Sequence, residues 1–484
     1  MSFTPSPGIV DRSFELVRQS LLQSDSLPFA GALTTEQIQE AFEAESVSFG
    51  DNEDDASNSD GIVYTMGVTL WAMLSQALFT DVQRACRAAV LRVAVYYALL
   101  GREVSSTNTG AYCRARAKVT EGVVRRLAVG VAKRCELEVP DAWYWKGRRT
   151  LKIDGTTFSM PDTEENQEEY PQATTQAEGL GFPIVRAVVI TSLATGMVMD
   201  LANGPYAGKE TGETALLRTL FHFFQSGDVG LFDRYDAGWF MLALMREMKV
   251  DFVTLLHQLR EADFSLGQRL GKGDHIVRWV KPVRPDWLDQ EIYDRLPDEL
   301  EIREIQVTVD IPGFRSESLI VVTSLLDHRV YSRSDIALLY RRRWTVELEL
   351  RDIKSTMQLD VLRRKTPAAV RQELWTGILA YNLIRQSILQ SALQGDCQPQ
   401  QLSFAATLQM LANTWVVAAL PPMVSPDARE LLIALRILNG QIHRVANRPN
   451  RVEPRAVKRR PHPIALLTEP RKTARAKLIA GSTT

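Results

Sequence analysis

The sequence predicts a mixed α/β protein in which a sheet flanked by helices is interrupted by a β-rich insertion. Three patterns support this fold class. Helical periodicity dominates residues 61–145, short β-branched strands alternate with amphipathic helices after Pro140, and helical periodicity returns after Ser334. Because strands and helices alternate along the chain, an α/β sheet is favoured over a β-sandwich, with helical regions at both ends.

Composition indicates a globular protein and excludes several other classes. The chain has 484 residues, 57 Lys and Arg against 58 Asp and Glu, and 45% hydrophobic residues, which predicts about two to four domains. Its four cysteines are too scattered for a zinc site or a disulfide framework. The N-terminus has no basic or apolar leader pattern. We therefore expect a cytoplasmic protein without structural zinc.

The N-terminal part of the chain divides into two predicted segments. Residues 1–60 end in an acidic run at 43–60, which is typical of a linker. Residues 61–80 carry no charge and are long enough to span a bilayer, but polar residues such as Thr65 and Gln76 favour a buried helix of a protein outside the membrane. The helical region at 61–145 carries Arg and Lys around Arg116, either as a solvated face or as a DNA-backbone surface.

A catalytic core is predicted at 146–266 and 328–395. It is expected to have strands at 150–154, 185–193, 196–202, 229–233 and 251–256 and helices at 210–225 and 238–248. A β-rich insertion follows at 267–327. One long helix is then predicted over 334–359, with Ser332 and Asp335 spaced as a capping box. Residues 396–440 are predicted to be helical.

The C-terminal segment 441–484 is strongly basic. It holds eleven Lys and Arg against two Glu, which gives 11 − 2 = +9. With its interspersed prolines this segment is predicted to be a flexible arm. The arm either binds a polyanion through counterion release or serves only as a solubilising tail.

Two aspartates each follow an apolar strand. Asp154 ends the predicted strand 150–154 and Asp233 ends the predicted strand 229–233. A carboxylate at the end of a strand is exposed on a rigid frame, where catalytic groups can be placed. The alternatives are an Asp-Gly turn for Asp154 and a helix N-cap for Asp233.

Helical geometry selects Glu347 as the third candidate carboxylate, beside Asp154 and Asp233. Tyr340, Arg343, Glu347 and Lys354 lie at offsets of 0, 3, 7 and 14 residues, or about 0°, 300°, 340° and 320° around a helix, within about 60° of each other. Glu349 and Asp352 point elsewhere on the same projection. Arg and Lys suit phosphate oxygens, Tyr can donate a hydrogen bond, and Glu suits a metal.

Two aspartates and one glutamate are hard oxygen ligands that suit Mg²⁺ or Mn²⁺. Two such ions about 4 Å apart can activate a water or a 3′-hydroxyl and stabilise the leaving oxygen. The six histidines show no HExxH spacing, and the sequence has no GxxxxGK[ST] phosphate loop and no GxSxG elbow. A metal-dependent enzyme acting on nucleic acid is therefore predicted from the residues alone.

The sequence resembles bacterial cut-and-paste transposases of the insertion-sequence-4 group, within the Asp-Asp-Glu superfamily. The group's signature of Tyr, Arg, Glu and Lys is matched by Tyr340, Arg343, Glu347 and Lys354 in LYRRRWTVELELRDIK. Further similar strings are IDGTTFSMPDTEENQEEYP, GPYAGKETGETALLR, FDRYDAGWF, RLGKGDHIVRWVKP and LRRKTPAAVRQELWTGILAYNLIR. The resemblance covers about residues 70–385.

The resemblance implies a ribonuclease-H-like core with Asp154, Asp233 and Glu347 as the metal-binding catalytic triad. It further implies that Tyr340, Arg343 and Lys354 contact the DNA strand near the cleavage site. After the second Asp the usual pattern departs at Asp236, and Asp233 is preferred because it ends the strand.

The insertion of this family helps to hold the transposon end, sometimes as a hairpin with a flipped base. Trp279 or Trp287 would then stack on that base, although each also fits a core position.

The function implied is binding of terminal inverted repeats, pairing of two ends in a homodimer, cleavage, and joining of the 3′-hydroxyls to target DNA. No membrane is expected to take part. Two rivals stay open: a structure-specific nuclease with the same core, and a catalytically inactive DNA-binding regulator of transposition.

Overall fold

The computed structural model describes residues 9–47, 63–103, 106–208, 211–309, 317–420, 426–445 and 468–481. Most of the predicted acidic linker, at 48–60, lies outside these residues, as does most of the basic tail. The strands are β1 (Thr150–Ser159), β2 (Ile184–Ser192), β3 (Val198–Pro205), β4 (Val229–Leu231), β5 (Asp251–Leu255), β6 (Gln268–Gly271), β7 (Asp274–Val280), β8 (Glu299–Val309) and β9 (Glu317–Thr323).

Within the described residues these strands form one nine-stranded sheet in the order β3-β2-β1-β4-β5-β9-β8-β7-β6. Strands β1 to β3 are antiparallel neighbours, whereas β4 runs parallel to both β1 and β5. The remaining pairs are antiparallel. The predicted mixed α/β fold class is confirmed at this level.

The strands of the predicted insertion extend the sheet of the core. Strand β9 pairs with β5, with Val253 opposite Thr323, and β8, β7 and β6 follow outward. The hydrogen bonds of β5 thus continue directly into residues 267–327. Because period-2 patterning predicts strands but not their partners, the sequence could not place these strands in the sheet.

Helices surround this sheet and build a separate helical layer. They are α1 (Ile9–Ser20), α2 (Thr35–Glu43), α3 (Met66–Leu78), α4 (Cys86–Leu99), α5 (Thr109–Lys118), α6 (Glu121–Leu137), α7 (Glu164–Glu169), α8 (Glu213–Thr219), α9 (Trp239–Glu247), α10 (Gln290–Arg295), α11 (Arg333–Arg343), α12 (Thr345–Arg351), α13 (Pro367–Gln394), α14 (Phe404–Ala418), α15 (Pro426–Ile442) and α16 (Arg471–Gly481).

Helix α13 is the centre of the helical layer. It packs against α6, α3 and α15 and is buried along most of its length. Helix α3 is buried at every position, which explains why its sequence is apolar on all sides. Across the described ranges, no helix combines the length and the apolar character that crossing a bilayer requires.

The predicted long helix over 334–359 is wrong in one respect. The chain forms α11, then α12, and then a π-helical turn at Asp352–Thr356, with Trp344 at the junction of the two α-helices. The Thr345 hydroxyl donates to the Arg342 carbonyl at 2.7 Å, a bond of the kind that bends helices. The capping box is confirmed, since Ser332 and Asp335 make both reciprocal bonds.

Other boundaries also differ from the predictions. Strand β1 continues five residues beyond Asp154, because β2 pairs with it along residues 151–159. The predicted helix 210–225 is shorter and ends in a 3₁₀ turn. In the basic tail, residues 471–481 form helix α16, and the prediction of a flexible arm falls mostly on residues outside the described ranges.

Candidate active site

Strand β1 carries alternate polar residues towards the helices α11 and α12. Residues Lys152, Asp154 and Thr156 are two apart, so their side chains lie on one face of the sheet. Lys152 Nζ donates to Thr345 Oγ1 at 2.9 Å, and Lys354 Nζ donates to Thr156 Oγ1 at 3.3 Å. The strand and the helical segment are therefore joined on both sides of Asp154.

Asp154 lies in the middle of β1, just beyond the residues that pair with β4. The parallel pairing of β1 with β4 covers only residues 150–152 of β1, which leaves Asp154 at an open edge on this side. The alternative of an Asp-Gly turn is excluded, because Gly155 continues the strand opposite Val188. A side chain at residue 155 would meet the carboxyl group of Glu213, which would have to move aside.

The electrostatics of Asp154 differ from those of a surface carboxylate. Burial raises the pKa of Asp154 to about 6, Arg343 opposes this rise, and the negative charges of Glu347 and Asp233 add to it. The usual value is 3.8. Because an ionised carboxylate in this position is poorly solvated and repelled by its neighbours, a bound cation would favour its charged form.

Asp233 follows β4 by two residues and lies beside β1. Leu231 is paired with Lys152, so the next residues of the two strands run on together towards Asp154 and Asp233. The Asp233 carboxylate accepts a hydrogen bond from the Arg234 N–H at 2.7 Å and caps a short 3₁₀ helix. The predicted alternative of an N-cap is thus correct, and the residue also faces the site.

Arg343 connects the helix to the strand carboxylates. Its Nη2 lies 3.5 Å from Glu347 Oε1, with the Arg343 side chain 7% exposed and that of Glu347 59% exposed. Although burial lowers the pKa of Arg343, the charges of Tyr340, Asp233 and Asp154 raise it overall. This guanidinium therefore lies among all three predicted carboxylates, and Glu347 faces solvent on the other side of it.

Tyr340 lies next to Arg343, and Lys354 lies beside Thr156, the next residue after Asp154 on the same face of β1. Tyr340 is buried, its ring centroid is 5.9 Å from the guanidinium carbon of Arg343, and burial raises its pKa to about 12. Lys354 reaches the same face of β1 from the π-helical turn. The structure thus brings together six of the predicted site residues: Asp154, Asp233, Tyr340, Arg343, Glu347 and Lys354.

The donor set fits a hard divalent cation, although the oxygens do not converge on one point. Within the described part of the chain, no group of three His, Cys, Asp or Glu side chains is arranged to hold an ion. Glu347 is directed at Arg343, and its exposed side chain is free to rotate. Two half-buried aspartates and an exposed glutamate around one charged centre are chemically suited to Mg²⁺ or Mn²⁺.

A buried cluster of charged residues lies behind α12, and the sequence interpretation missed it. Lys152 pairs with Glu349, with side chains 0% and 3% exposed. Glu349 in turn interacts with Arg385, which donates to the Tyr381 hydroxyl at 2.9 Å and lies 4.0 Å from Asp352. The two-residue spacing of Lys152 and Asp154 was a signal that both share one face of a strand.

The two tryptophans of the predicted insertion have different environments. Trp279 is 5% exposed and its ring N–H donates to Glu304 Oε1 at 3.0 Å, so it is a core residue and its face is not open to a base. Trp287 is partly exposed, and the Arg218 guanidinium carbon lies 4.0 Å from the centre of its ring. Trp279 is therefore unsuited to base stacking, and stacking on Trp287 stays a prediction that requires the Arg218 guanidinium to leave the ring.

Comparison with known proteins finds similarity to transposases. A family model described as a transposase DDE domain matches residues 145–383. The chain is 29% identical over 360 residues to the transposase InsG for insertion sequence element IS4 of Escherichia coli (strain K12), over 72% of this chain and 76% of that protein. A cryo-EM structure of a piggyBac transposase synaptic complex with hairpin DNA gives a TM-score of 0.43 at 10% identity, over 90% of this chain and 87% of that chain.

Proposed function

Because the chain belongs to the DDE-domain transposases of the insertion-sequence-4 family, we propose that it is a cut-and-paste enzyme acting on the ends of an insertion sequence. It binds terminal inverted repeats, hydrolyses a phosphodiester at each end, and joins the freed 3′-hydroxyls to target DNA. The observation that carries this proposal is the arrangement of Asp154, Asp233 and Glu347 around Arg343.

The strand order supports a ribonuclease-H-like core. The half of the sheet that holds the site has the order β3-β2-β1-β4-β5, with β1 to β3 antiparallel and β1, β4 and β5 parallel. The two aspartates come from the adjacent strands β1 and β4, and the glutamate comes from a helix that packs on β1. We assign the remaining strands, β6 to β9, to the insertion that holds the transposon end.

Asp154, Asp233 and Glu347 are the residues that would hold two Mg²⁺ ions, for which Mn²⁺ can substitute. When bound, such ions activate the attacking water or 3′-hydroxyl and stabilise the leaving oxygen. Both reactions are in-line displacements at phosphorus, so one site serves both. Arg343 and Lys354 contact phosphate oxygens of the cleaved strand. Tyr340 was also predicted to contact the strand, but because its side chain is buried beside Arg343 we assign it to positioning that guanidinium.

The rest of the chain supplies affinity for DNA. We assign duplex binding to the helical region 61–145 and to the basic tail, mostly through phosphates, and base stacking in the insertion to Trp287. Two copies pair the element ends as a homodimer, in the cytoplasm at the nucleoid. Affinity for the repeat should fall steeply as the salt concentration rises. An affinity that does not change with salt would argue against binding mainly through phosphates.

The test is cleavage of a labelled duplex that carries the element's own terminal repeat, with Mg²⁺ and with EDTA. Asp233→Asn should abolish nicking at the repeat boundary, whereas Asp236→Asn, three residues away, is the matched control and should leave it intact. A pre-cut repeat end mixed with plasmid DNA then reports strand transfer.

Each outcome separates the candidates. Nicking that needs Mg²⁺ together with strand transfer supports the transposase. Cleavage without joining indicates the structure-specific nuclease, and binding of the repeat without cleavage in Mg²⁺ or Mn²⁺ indicates the inactive regulator. Cleavage that survives Asp233→Asn but not Asp236→Asn would reassign the second carboxylate.

A further inference from the structure

A pocket of about 260 Å³ lies where the N-terminal helices meet the segment that follows the π-helical turn. Its walls come from α3 and α4 on one side and from residues 359–364 and α13 on the other. This segment is joined to the end of β1, since the Ser159 N–H donates to the Asp360 carbonyl at 3.1 Å and the Leu362 N–H donates to the Ser159 carbonyl at 2.8 Å.

The pocket is within reach of a DNA strand that lies in the active site. Ser159 lies five residue steps beyond Asp154 along β1, a distance of about 16 Å at 3.3 Å per residue. This corresponds to roughly five base-pair steps of 3.4 Å along one strand. A DNA strand that runs alongside β1 from Asp154 would therefore reach the segment that lines the pocket.

Positive charge exceeds negative charge in and beside the pocket. Four guanidinium groups gather there, from Arg84, Arg116, Arg363 and Arg364. Glu373 is the carboxylate of the lining, and it is shared: it lies 3.4 Å from Arg84 Nη2 and 3.9 Å from Arg364 Nε, and it accepts the Arg363 backbone N–H at 2.7 Å. The guanidinium charges thus exceed the carboxylate charge of the lining.

Two of these arginines have neutral hydrogen-bond partners. Arg116 Nη1 donates to Gln76 Oε1 at 3.5 Å and to Cys86 Sγ at 3.2 Å. Arg364 donates to the same two side chains, at 3.4 Å to Gln76 and 3.7 Å to Cys86. Among the described residues no ion pair within 4.0 Å is found for Arg116, whereas Arg364 Nε is buried without a hydrogen bond and has the Glu373 carboxylate 3.9 Å away.

Cys86 shows that this environment stabilises an anion. Burial alone would raise the pKa of its thiol, but Arg116 and Arg364 outweigh burial and lower it. The thiol lies at the first residue of α4, where the backbone N–H groups also favour negative charge. A negative group placed against these residues is therefore held by the same charges.

We propose that this pocket binds a backbone phosphate of the DNA strand that occupies the active site, with Arg363 and Arg364 as its ligands. Guanidinium groups bind phosphate oxygens through paired N–H donors. The inference rests on the proposed function and adds to it an anchor about five nucleotides from the cleaved bond. This anchor would couple the N-terminal helices to the catalytic helix when DNA is bound.

The first experiment uses Cys86 as a reporter in the unmodified full-length protein. Carbamidomethylation by iodoacetamide is followed by peptide mass spectrometry, with and without saturating repeat duplex. Cys397, which is also partly exposed but lies in another part of the chain, is the internal control. We expect the duplex to slow modification of Cys86 by about tenfold or more and to leave Cys397 unchanged.

An unchanged rate at Cys86 while the same duplex is bound and cleaved would overturn the pocket inference alone. If the duplex is neither bound nor cleaved, the proposed function fails instead. The two failures are thus distinguishable in one set of samples.

A second experiment distinguishes a phosphate that contacts the pocket arginines from DNA that only blocks access to the Cys86 thiol. The slope of log K against log salt for duplex binding should fall by about 0.9 in Arg364→Gln, as for the loss of one phosphate contact, and Arg364→Lys should restore it. Arg295→Gln, an exposed arginine that pairs with Glu247, is the matched control. Should Arg364→Gln fail to fold, the exposed Arg363 gives a second variant, and an unchanged slope in the folded variants contradicts the proposal.

Discussion

Glu347 and Glu349 lie two residues apart on α12 and have opposite environments. Glu347 is 59% exposed, and its Oε1 lies 3.5 Å from Arg343 Nη2. Its negative charge, like that of Asp233, acts on Asp154. Glu349 is buried against Lys152. Helix α12 therefore places Glu347 near two other carboxylates, which repel it, and places Glu349 in a buried ion pair with Lys152.

This difference between Glu347 and Glu349 indicates how three carboxylates that repel each other can be held close together. Neighbouring carboxylates repel each other when ionised, and burial disfavours their charged form further. The buried cluster behind them fixes α12 on β1 through Lys152, which also donates to Thr345. We interpret the exposed side as the reactive part and the buried side as the part that maintains its geometry.

The largest expected effect is on catalysis. Under the proposed function Glu347 is a metal ligand, so Glu347→Gln should reduce cleavage of the repeat duplex by about 10⁴-fold, equivalent to roughly 5.5 kcal/mol on the barrier. Its stability should change by less than about 0.5 kcal/mol, because the side chain is exposed. Single-turnover cleavage and urea unfolding measure the two quantities. Cleavage at the wild-type rate would exclude Glu347 from the triad.

Glu349→Gln should show the reverse pattern. It leaves the Lys152 ammonium buried without its counterion, which should lower the free energy of unfolding by roughly 3 to 5 kcal/mol. Urea unfolding measures this loss, with Glu347→Gln as the control on the same helix. A stability equal to that of Glu347→Gln would mean that the buried pair contributes nothing to holding α12.

Removing both partners should be less harmful than removing one. The double variant Lys152→Met with Glu349→Leu should recover about 2 kcal/mol relative to the sum of the two single variants. A double-mutant cycle from urea unfolding gives this coupling energy. Additive losses would indicate that Glu349 is held chiefly by Arg385 instead of Lys152.

The smallest effect concerns Asp154 and depends on pH. Its pKa in the folded chain is about 6, above the usual 3.8, so the folded chain binds this proton more tightly than the unfolded chain does. That stabilisation is complete below about pH 4 and is lost as pH rises through 6.

Asp154→Asn removes the ionised, poorly solvated carboxylate. In metal-free buffer at pH 7.5 the variant should be more stable than the wild type by about 1 to 2 kcal/mol after allowance for solvent screening. The advantage should shrink at pH 5. Urea unfolding at both pH values provides the measurement, and a constant difference would assign it to a cause other than ionisation.

Local patterns in the sequence determined much of this protein. The offsets of Tyr340, Arg343 and Glu347 predicted that they share one side of the helical segment, and Arg343 and Glu347 do meet although α11 ends between them. The capping box at Ser332 marked where α11 begins. Asp154 and Asp233 were found because each follows an apolar strand segment. These features depend on residues a few positions apart, for which helix and strand periods are sufficient.

Only the tertiary structure decided which distant residues meet. The pairing of Lys152 with Glu349, the continuation of β5 into β9, the burial of Trp279 and the arginine pocket around Cys86 all join segments far apart in the chain. Neither the partner of a strand nor the burial of a charge is encoded in local periodicity, because both depend on how whole elements pack. The sequence therefore predicted the candidate reactive residues, and packing decided which residues hold them in place.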